Sequence, residues 1–326
     1  MRSVEAQLLH RPPGLAAGEV VRRLGAMQAQ DVPAALLAFR ARSATLTRQD
    51  VEAAWHGREI VRTWGPRGTL HFVHADDLPW LHALTRRATN TLRRLREEGV
   101  TGDDLPALIG RALEDQGPLT KAELEERLAG RARGQGVVHL VALAAYHGLA
   151  VLGPLRRGKP TYVHAADWLG APIAPEPDRD RALRELATRY RRAHHPAEPE
   201  DLAAWSGLPL GEARAAWSLS AAGPPPAEEK PVVRLAPAFD EYLMGWRSRD
   251  PILAAEHARK VFPGGGVLRP VVLVGGVIRG VWGRRGAQVS VEPFDELPGG
   301  LLDAEIAAEI AAEVAGEIAD VRRFLQ

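Results

Sequence analysis

The chain has 326 residues, of which 45% are hydrophobic and 25% are charged. This length allows two or three packed units, and this composition is typical of a soluble globular protein. The 42 Lys and Arg residues nearly balance the 41 Asp and Glu residues, so the net charge of +1 neither favours nor excludes nucleic acid as a partner.

Several features of the sequence bear on where the protein works. No run of about eighteen apolar residues is present, so we expect no membrane span. The first residues include Arg2 and Glu5 and lack the apolar core of a secretory signal peptide. The chain has no cysteine, which excludes disulfides and thiolate metal sites. Together these features predict a cytoplasmic protein.

The first quarter of the chain is predicted to contain three helices. Apolar residues recur at helical spacing from Val20 to Met27. Pro33 disfavours a helical conformation for the residue before it, so the first helix should end near Gln30. A second helix is predicted over residues 34–41. Thr47 is a candidate N-cap for the third helix.

A β-hairpin is predicted after these helices. Residues 59–64 and 69–73 have the composition of strands, and the segment Gly65-Pro66-Arg67-Gly68 between them has the composition of a turn. Three helices closed by a hairpin form a winged helix. We assign this first winged helix to residues 1–100.

The same pattern is predicted to recur twice. A second winged helix covers residues 101–175, where Thr120, followed three residues later by Glu123, has a capping-box signature. A third unit, over residues 176–222, has the acidic start and the glycine that a helix-turn-helix requires. The predicted elements of these units are helices at 103–116, 137–149, 179–195 and 210–219, a helix-turn segment at 198–208, and strands at 150–155 and 160–164.

The periodicity changes in the last third of the chain. Residues 223–230 include three consecutive prolines and are predicted to be a linker. Residues 231–300 are predicted to form a small β-rich, barrel-like unit, in which Gly275-Gly276 makes a tight hairpin. Residues 301–326 form an acidic amphipathic helix, most of whose carboxylates we expect to face solvent. The expected fold class is α+β, mainly helical. The strands predicted in the β-rich unit are 232–235, 271–274, 277–282 and 288–291.

The cations of the chain occur in short clusters. Arginine, which suits bidentate contact with phosphate, outnumbers lysine in them. As a set, these clusters favour phosphate contact more strongly than any one of them does. They comprise Arg86, Arg87, Arg93, Arg94 and Arg96; Arg156, Arg157 and Lys159; Arg189, Arg191 and Arg192; and Arg284 and Arg285.

Two segments carry the strongest chemical signal. Residues 27–31, Met-Gln-Ala-Gln-Asp, place Gln28 and Gln30 two positions apart, and residues 61–73 form a basic strand-turn-strand block that contains His71. On a regular helix, residues i and i+2 point about 200° apart and cannot share a site. In an extended or helix-terminal segment they can face the same way. The alternative is that both glutamines are polar surface residues at the end of a helix.

A resemblance emerges from the order of four blocks along the chain. These blocks are the Gln-x-Gln segment, the Arg-Thr-Trp-x-x-Arg-Gly-Thr-Leu-His block, the Asp201-to-Leu208 turn, and the segment from Pro237 to Gly245. The set resembles the AlkZ-like DNA glycosylases, which belong to a larger family of winged-helix DNA-binding proteins. The resemblance covers nearly the whole chain. It implies three tandem winged helices plus a β-rich unit, arranged as a C that embraces double-stranded DNA.

The resemblance also implies an activity. Members of this family are monofunctional glycosylases that remove alkylated purines, chiefly N7-alkylguanine. Some remove bulky adducts or interstrand crosslinks and so protect antibiotic-producing bacteria. Their catalytic Gln-apolar-Gln motif corresponds to Gln28, Ala29 and Gln30, whereas a related group resembling YcaQ has Asp in the last position. Ala29 is smaller than the expected apolar residue. We expect no cofactor, no metal and a monomer associated with the nucleoid.

Two amides can suffice for such a reaction. An N7-alkylated guanine is already cationic and leaves as a neutral base, so a general acid is unnecessary. An amide carbonyl offers an oriented dipole to a water and to the developing oxocarbenium, and its NH2 can bind a phosphate or sugar oxygen. We also expect no lyase activity, since no lysine lies in an apolar segment that would depress its pKa. The lysines are Lys121, Lys159, Lys230 and Lys260.

Residues of the first wing are further candidates for DNA contact. Arg67 is a candidate for phosphate, because wings usually contact the DNA backbone. Trp64 is a candidate for DNA contact, although a tryptophan in this position more often packs in the core. His71 either contacts DNA or supports the hairpin. Close approach of the last hairpin to a groove is sterically feasible. The candidate DNA-binding residues are Arg62, Trp64, Arg67, His71, Arg284 and Arg285.

Two further clusters have competing interpretations. Asp240, Glu241 and Tyr242 lie at a strand-to-loop boundary, where a carboxylate would cap a helix or would support the oxocarbenium or the water. Asp240 and Tyr242 are our candidate supporting residues. His194-His195 lacks the partners that a zinc site needs, so we expect this pair at the surface.

Two other functions fit a winged-helix chain. The first is a transcriptional regulator, which would bind one duplex sequence and release no base. Against it, the sequence contains no evident ligand domain or dimerising coiled coil. The second is a non-catalytic protein that binds DNA damage.

Overall fold

The computed structural model describes residues 2–85, 89–221, 232–286, 288–294 and 304–326. The fold is α+β and contains two antiparallel sheets, one of six strands and one of four. No helix within these ranges is long and apolar enough to cross a lipid bilayer.

The elements of the first half of the chain alternate between helices and short strands. In order they are α1 (Ala17–Leu24), β1 (Met27–Gln28), α2 (Val32–Arg42), α3 (Arg48–His56), β2 (Ile60–Trp64), β3 (Leu70–His74), α4 (Leu78–Thr85), α5 (Thr89–Glu97), α6 (Leu105–Leu113), β4 (Leu119–Thr120), α7 (Lys121–Arg127), α8 (Gln135–Tyr146), β5 (Ala150–Arg156), β6 (Lys159–His164) and α9 (Ala165–Leu169).

The second half contains a helical unit and then the smaller sheet. In order its elements are α10 (Arg179–Ala193), α11 (Pro199–Ser206), α12 (Leu210–Leu219), β7 (Val233–Ala236), α13 (Glu241–Met244), α14 (Ala258–Val261), β8 (Val271–Val274), β9 (Val277–Arg285), β10 (Gln288–Pro293) and α15 (Ala304–Leu325).

The first helix ends earlier than its apolar spacing predicts. α1 stops at Leu24, where Gly25 has a φ of 83° and donates its N–H to the carbonyl of Val21. The chain then continues as β1, which pairs antiparallel with β3. The expectation of a helix to Gln30 was therefore wrong. A glycine with positive φ ends the helix, and the edge of β3 offers the next residues a strand partner.

Two local signals in the sequence are confirmed. Thr47 caps α3 by accepting from the N–H of Asp50, whose carboxylate accepts in return from the N–H of Thr47. Thr120 and Glu123 form the same reciprocal capping box at α7. Both signals depend on residues only three apart, which is why the sequence alone reveals them.

The two predicted hairpins are present and lie next to each other in one sheet. β2 pairs with β3, and β5 pairs with β6. The hairpins join where Arg62 lies opposite Leu152, so one antiparallel sheet runs in the order β1-β3-β2-β5-β6-β4. β1, which carries the first glutamine of the motif, is an edge strand of this sheet.

The helices of the third unit pack beside this sheet. α10 contacts α12, α4 and α1, and Trp205 on α11 is buried among them. Within residues 176–221, as far as the structure describes them, no strand follows α12.

The β-rich unit is a four-stranded sheet in the order β10-β9-β8-β7. Its strands lie where their alternation predicts them. The short helix α13 lies between β7 and β8 and is capped by Asp240. The predicted linker at 223–230 lies outside the described residues.

The C-terminal helix is docked through its carboxylates. α15 packs against α2 and β7. Glu317 is 4% exposed and accepts at 2.8 Å from Arg40, which is fully buried on α2. Asp320 also contacts Arg40, at 3.2 Å. The expectation that most carboxylates of this helix face solvent was wrong for these two, because a buried guanidinium on α2 requires an opposite charge.

Replacing Glu317 tests this docking. Glu317→Gln removes the buried negative charge and keeps the side-chain shape. We expect it to lower the free energy of unfolding by about 3–5 kcal/mol, because Arg40 is left with incomplete compensation. Urea denaturation followed by circular dichroism measures the change. Glu309→Gln is the control on the same helix, since Glu309 is exposed and should change stability by less than about 0.5 kcal/mol. Equal effects of the two variants would contradict the docking role.

His194 is buried rather than at the surface. It is 1% exposed, and its ring stacks on Tyr190 with centroids 4.2 Å apart. Burial lowers the pKa of His194 to about 3 from the ordinary 6.5. The expectation of a surface pair was wrong for this residue, because the end of α10 lies beneath Trp205 and Trp246.

The buried imidazole predicts a pH dependence of stability. His194 binds a proton near pH 6.5 in the unfolded chain but only near pH 3 in the folded chain. Unfolding therefore takes up a proton in this window, and stability falls as the pH falls from about 6.5 towards 3. His194→Gln, which cannot titrate, should flatten this dependence by up to about 1.4 kcal/mol per pH unit. Urea titrations between pH 4 and 7 measure it, and identical slopes for both proteins would refute the prediction.

Candidate active site

Gln28 ends the short strand β1, and Gln30 follows two residues later at a bend. Met27 and Ala29 are 1% and 0% exposed and point into the core beneath α1 and α2. The N–H of Ala29 donates to the carbonyl of Leu70 at 2.7 Å, which continues the pairing of β1 with β3. Side chains alternate along a strand, so the side chain of Gln28 lies on the face of β1 opposite to that of Met27. The small Ala29 fills its buried place without displacing the strand.

The two glutamine side chains differ in which hydrogen-bonding group is free. Gln28 is 8% exposed, and its Oε1 is buried without a hydrogen-bond partner among the described residues. Gln30 is exposed, and its Oε1 accepts from the N–H of Leu70 at 3.3 Å. An unpaired buried carbonyl is costly, so Gln28 holds an acceptor ready for a water or a ligand. Gln30 has its NH2 available instead.

His71 lies directly opposite Gln28 on β3. It is fully buried, and its Nδ1 donates to the carbonyl of Thr69 at 2.9 Å. Burial first, and the nearby charge of Arg67 second, lower the pKa of His71 to about 3. The ring is therefore neutral near pH 7 and presents Nε2 as a lone pair beside the glutamine.

Glu241 is the buried acid of this site. Its Oε1 accepts from the backbone N–H of Gln28 at 2.7 Å, and its Oε2 accepts from Nε1 of Trp205 at 2.9 Å. Its Oε1 also lies 4.0 Å from Nε2 of His71. Burial raises the pKa of Glu241 above its usual value, partly offset by the charge of Arg67. Only the acidic segment after β7 hinted at this residue in the sequence, and that segment does not reveal which carboxylate turns inward.

Arg62 holds the glutamine segment from the other side. It is 3% exposed; its Nε donates to the carbonyl of Ala29 at 2.9 Å, and its Nη2 to the carbonyl of Gln30 at 3.4 Å. Burial lowers the pKa of Arg62 to about 10, so it remains charged near pH 7. This candidate for DNA contact instead binds the backbone that carries the glutamines.

The turn of the first hairpin is docked inside the protein. Arg67 has a φ of 58° and donates from Nη1 to the carbonyl of Trp205. A Cβ at Gly207 would lie 3.3 Å from the Cα of Arg67, which shows how closely the turn approaches α11. Trp64 is half-buried and packs against the core beneath α6 and α8. The structure thus gives Arg67 a hydrogen-bond partner within the chain.

Other candidate cations are at the surface. Arg284 and Arg285 are exposed at the end of β9, where the last hairpin turns. Arg157 is exposed at the turn of the second hairpin. Arg86 and Arg87 lie outside the described residues. Exposed arginines on hairpin turns are accessible to a phosphate backbone in a way that Arg62 is not.

Asp240 and Tyr242 are engaged elsewhere. Asp240 accepts from the N–H of Tyr242 at 2.9 Å and binds both Nη atoms of Arg42, at 2.7 and 2.8 Å. The hydroxyl of Tyr242 donates to the carbonyl of Gly276 at 2.7 Å. Both residues are buried, so the adjacent Glu241, and not they, contacts the glutamine segment. In the part of the chain that the structure covers, no three His, Asp or Glu side chains gather as metal ligands.

Comparisons with known proteins place this chain among the DNA glycosylases, a class of enzymes that act on N-glycosyl bonds. The profile of the family described as DNA glycosylase AlkZ-like matches residues 21–324. A curated relative, the interstrand DNA cross-link repair glycosylase of Streptomyces sahachiroi, is 28% identical over 90% of this chain and 89% of its own. The solved structure of Streptomyces sahachiroi DNA glycosylase AlkZ has a TM-score of 0.79 and 26% identity, covering 97% of this chain and 94% of that one. The chain belongs to the AlkZ-like DNA glycosylase family.

Arg62 and Arg284 should respond differently to substitution. Arg62→Lys loses at least one of the two bonds to the glutamine backbone, so we expect base release from DNA to slow about tenfold while DNA affinity changes less than twofold. Arg284→Ala should weaken DNA affinity and lower its salt dependence by about one charge, with little change in the rate once DNA is bound. Single-turnover rates and binding titrations at several salt concentrations measure both. Weaker DNA binding by Arg62→Lys would mean that Arg62 contacts DNA.

Proposed function

We propose that this protein is a monofunctional DNA glycosylase that hydrolyses the N-glycosidic bond of cationic alkylated purines. N7-alkylguanine is the substrate class, and it includes bulky adducts and interstrand crosslinks. Membership of the family supports the reaction type. The Streptomyces sahachiroi relative is an interstrand DNA cross-link repair glycosylase, which supports the extension to crosslinks.

The observation that carries this proposal is the unpartnered amide oxygen of Gln28. It is a buried acceptor on an edge strand, two residues before the exposed Gln30. A neutral carbonyl dipole in a site of low dielectric stabilises a developing cation and orients a water without being consumed. This is the assistance that an oxocarbenium-like transition state needs.

The leaving group explains why an amide can replace an acid. Alkylation at N7 gives guanine a positive charge. When the bond from C1′ to N9 breaks, its electron pair neutralises the base, so the base leaves without being protonated. The water oxygen then bonds to C1′ and its proton passes to solvent. The surroundings match this chemistry, because the imidazole of His71 is neutral near pH 7.

The two glutamines have different parts in this proposal. The free carbonyl of Gln28 orients the water and faces the oxocarbenium. The carbonyl of Gln30 already accepts from the N–H of Leu70, so its NH2 donates to a sugar or phosphate oxygen of the damaged nucleotide. The fixed Gln30 carbonyl therefore orients a donor towards DNA.

The DNA-binding architecture follows from the same family. We propose three tandem winged helices, at residues 1–100, 101–175 and 176–222, arranged with the β-rich unit as a C around the duplex. The exposed arginines of the second and last hairpins supply phosphate contacts. The protein acts as a cytoplasmic, nucleoid-associated monomer, and it needs neither a cofactor nor a metal.

Base release from defined duplexes tests this function. We expect the protein to release free base from duplex containing N7-methylguanine. Gln28→Ala should lower the single-turnover rate by about 100-fold or more, because the oriented carbonyl is lost, and Gln30→Ala should lower it comparably. DNA affinity should stay within severalfold. Mass spectrometry of the released base and fluorescence anisotropy of labelled duplex give the two readouts.

Matched substrates and outcomes make this test decisive. Duplexes with uracil or 8-oxoguanine, which leave poorly without a proton, should react at least 100-fold more slowly. Efficient uracil release would reveal a general acid and contradict the amide mechanism. Binding to damaged duplex without any release would instead indicate a damage-binding protein. Tight binding to a single undamaged sequence would indicate a regulator.

A further inference from the structure

The peptide of Gln28 has an unusual position in the sheet. β1 is an edge strand whose only sheet partner in the described chain is β3. The N–H of Ala29 points to β3 and donates to Leu70. Backbone N–H groups alternate in direction along a strand, so the N–H of Gln28 points away from β3, out of the sheet edge. On an open edge this donor would have only water as its partner.

Glu241 takes the place of the missing neighbouring strand. Its Oε1 accepts from this N–H at 2.7 Å, and the residue is 1% exposed. α13 begins at Glu241 and is itself anchored, because Asp240 caps it while bound to both Nη atoms of Arg42. The bond to Gln28 therefore connects the edge strand to a rigid element of the β-rich unit.

A carboxylate, and not an amide, is required at this position. Glu241 accepts two donors at once, the backbone N–H of Gln28 and Nε1 of Trp205, one on each oxygen. A glutamine has one carbonyl oxygen and one NH2, so it would direct a donor at one of these two N–H groups. That leaves one buried donor unsatisfied, next to the strand that bears the catalytic amide.

We propose that Glu241 is the positioning residue of this active site. It fixes the backbone of Gln28 from the open side of the sheet, and Arg62 fixes the next two residues from the other side. The amide oxygen of Gln28 is thereby held where the reaction needs it. Trp205 extends the same connection into the third helical unit, so three parts of the chain meet at one carboxylate. This inference rests on the proposed function only for its effect on rate.

The first experiment compares Glu241→Gln with Trp246→Phe. Trp246 is 3% exposed and donates from Nε1 to the carbonyl of Tyr242 at 2.8 Å, so its replacement also removes one buried hydrogen bond close to α13. With N7-methylguanine duplex, we expect Glu241→Gln to lower kcat about 10- to 100-fold at unchanged KM and DNA affinity. Trp246→Phe should stay within about twofold of the unaltered protein. Rates are measured under conditions in which circular dichroism shows that each protein is folded.

The second experiment does not depend on activity. Hydrogen exchange of single backbone amides, followed by nuclear magnetic resonance, reports directly on the bond. In Glu241→Gln the amide of Gln28 should exchange at least about tenfold faster, while the amide of Ala29, which is bound to Leu70, should change much less. Glu241→Asp, one methylene shorter, should show the same selective loss and replaces Glu241→Gln if that variant folds poorly.

The outcomes separate the two proposals. If the unaltered protein released no base, the proposed function would be overturned. Hydrogen exchange at the amide of Gln28 would still test its hydrogen bond to Glu241. Unchanged exchange at Gln28 in the Glu241 variants would overturn the positioning role, whatever the activity. Base release by Glu241→Gln as fast as by Trp246→Phe would likewise overturn it and leave the proposed function intact.

Discussion

The fold depends on two arginines buried within one helix. α2 is buried along nearly its whole length, yet it carries Arg40 and Arg42, which are both fully inaccessible to solvent. Each guanidinium needs a carboxylate, and the chain supplies Glu317 from the C-terminal helix and Asp240 from the β-rich unit. Uncompensated charges there would be severely unfavourable. This requirement brings distant segments together around the helix that directly follows the glutamine motif.

The glutamine segment is held by groups that bind its backbone. Arg62 binds its carbonyls, Glu241 binds an N–H, and β3 supplies the remaining backbone bonds. The two charged side chains bind backbone groups of this segment, and its own glutamine side chains are neutral amides, Gln28 buried and Gln30 exposed. In the mechanism that we propose, neutral amides in a site of low dielectric stabilise a cation that arrives with the DNA. A positively charged imidazole beside the glutamines would oppose it, and burial keeps His71 neutral.

Local features were predictable from the sequence, and long-range ones were not. The caps at Thr47 and Thr120, the hairpins and the strands of the β-rich unit depend on residues a few positions apart, so composition and period reveal them. The predicted end of α1 was wrong because β1 forms only when β3 is present beside it. Arg62 and His194 are buried by elements that are distant in the sequence. An arginine cluster or a histidine pair alone does not predict that burial. The four family blocks pointed to the glutamine segment, but nothing in them distinguished Glu241 from the acid before it.

The pairing of β1 with β3 also sets how much variation in length the chain tolerates there. Both backbone groups of Leu70 are used, its carbonyl by Ala29 and its N–H by Gln30. A strand alternates its faces at every residue, so inserting or deleting a single residue between Gly25 and the motif would exchange the two faces. Ala29 would then leave its buried place, and a glutamine side chain would be directed into the apolar core. Natural relatives should therefore differ in length at the exposed hairpin turns and conserve the spacing from α1 to the glutamines.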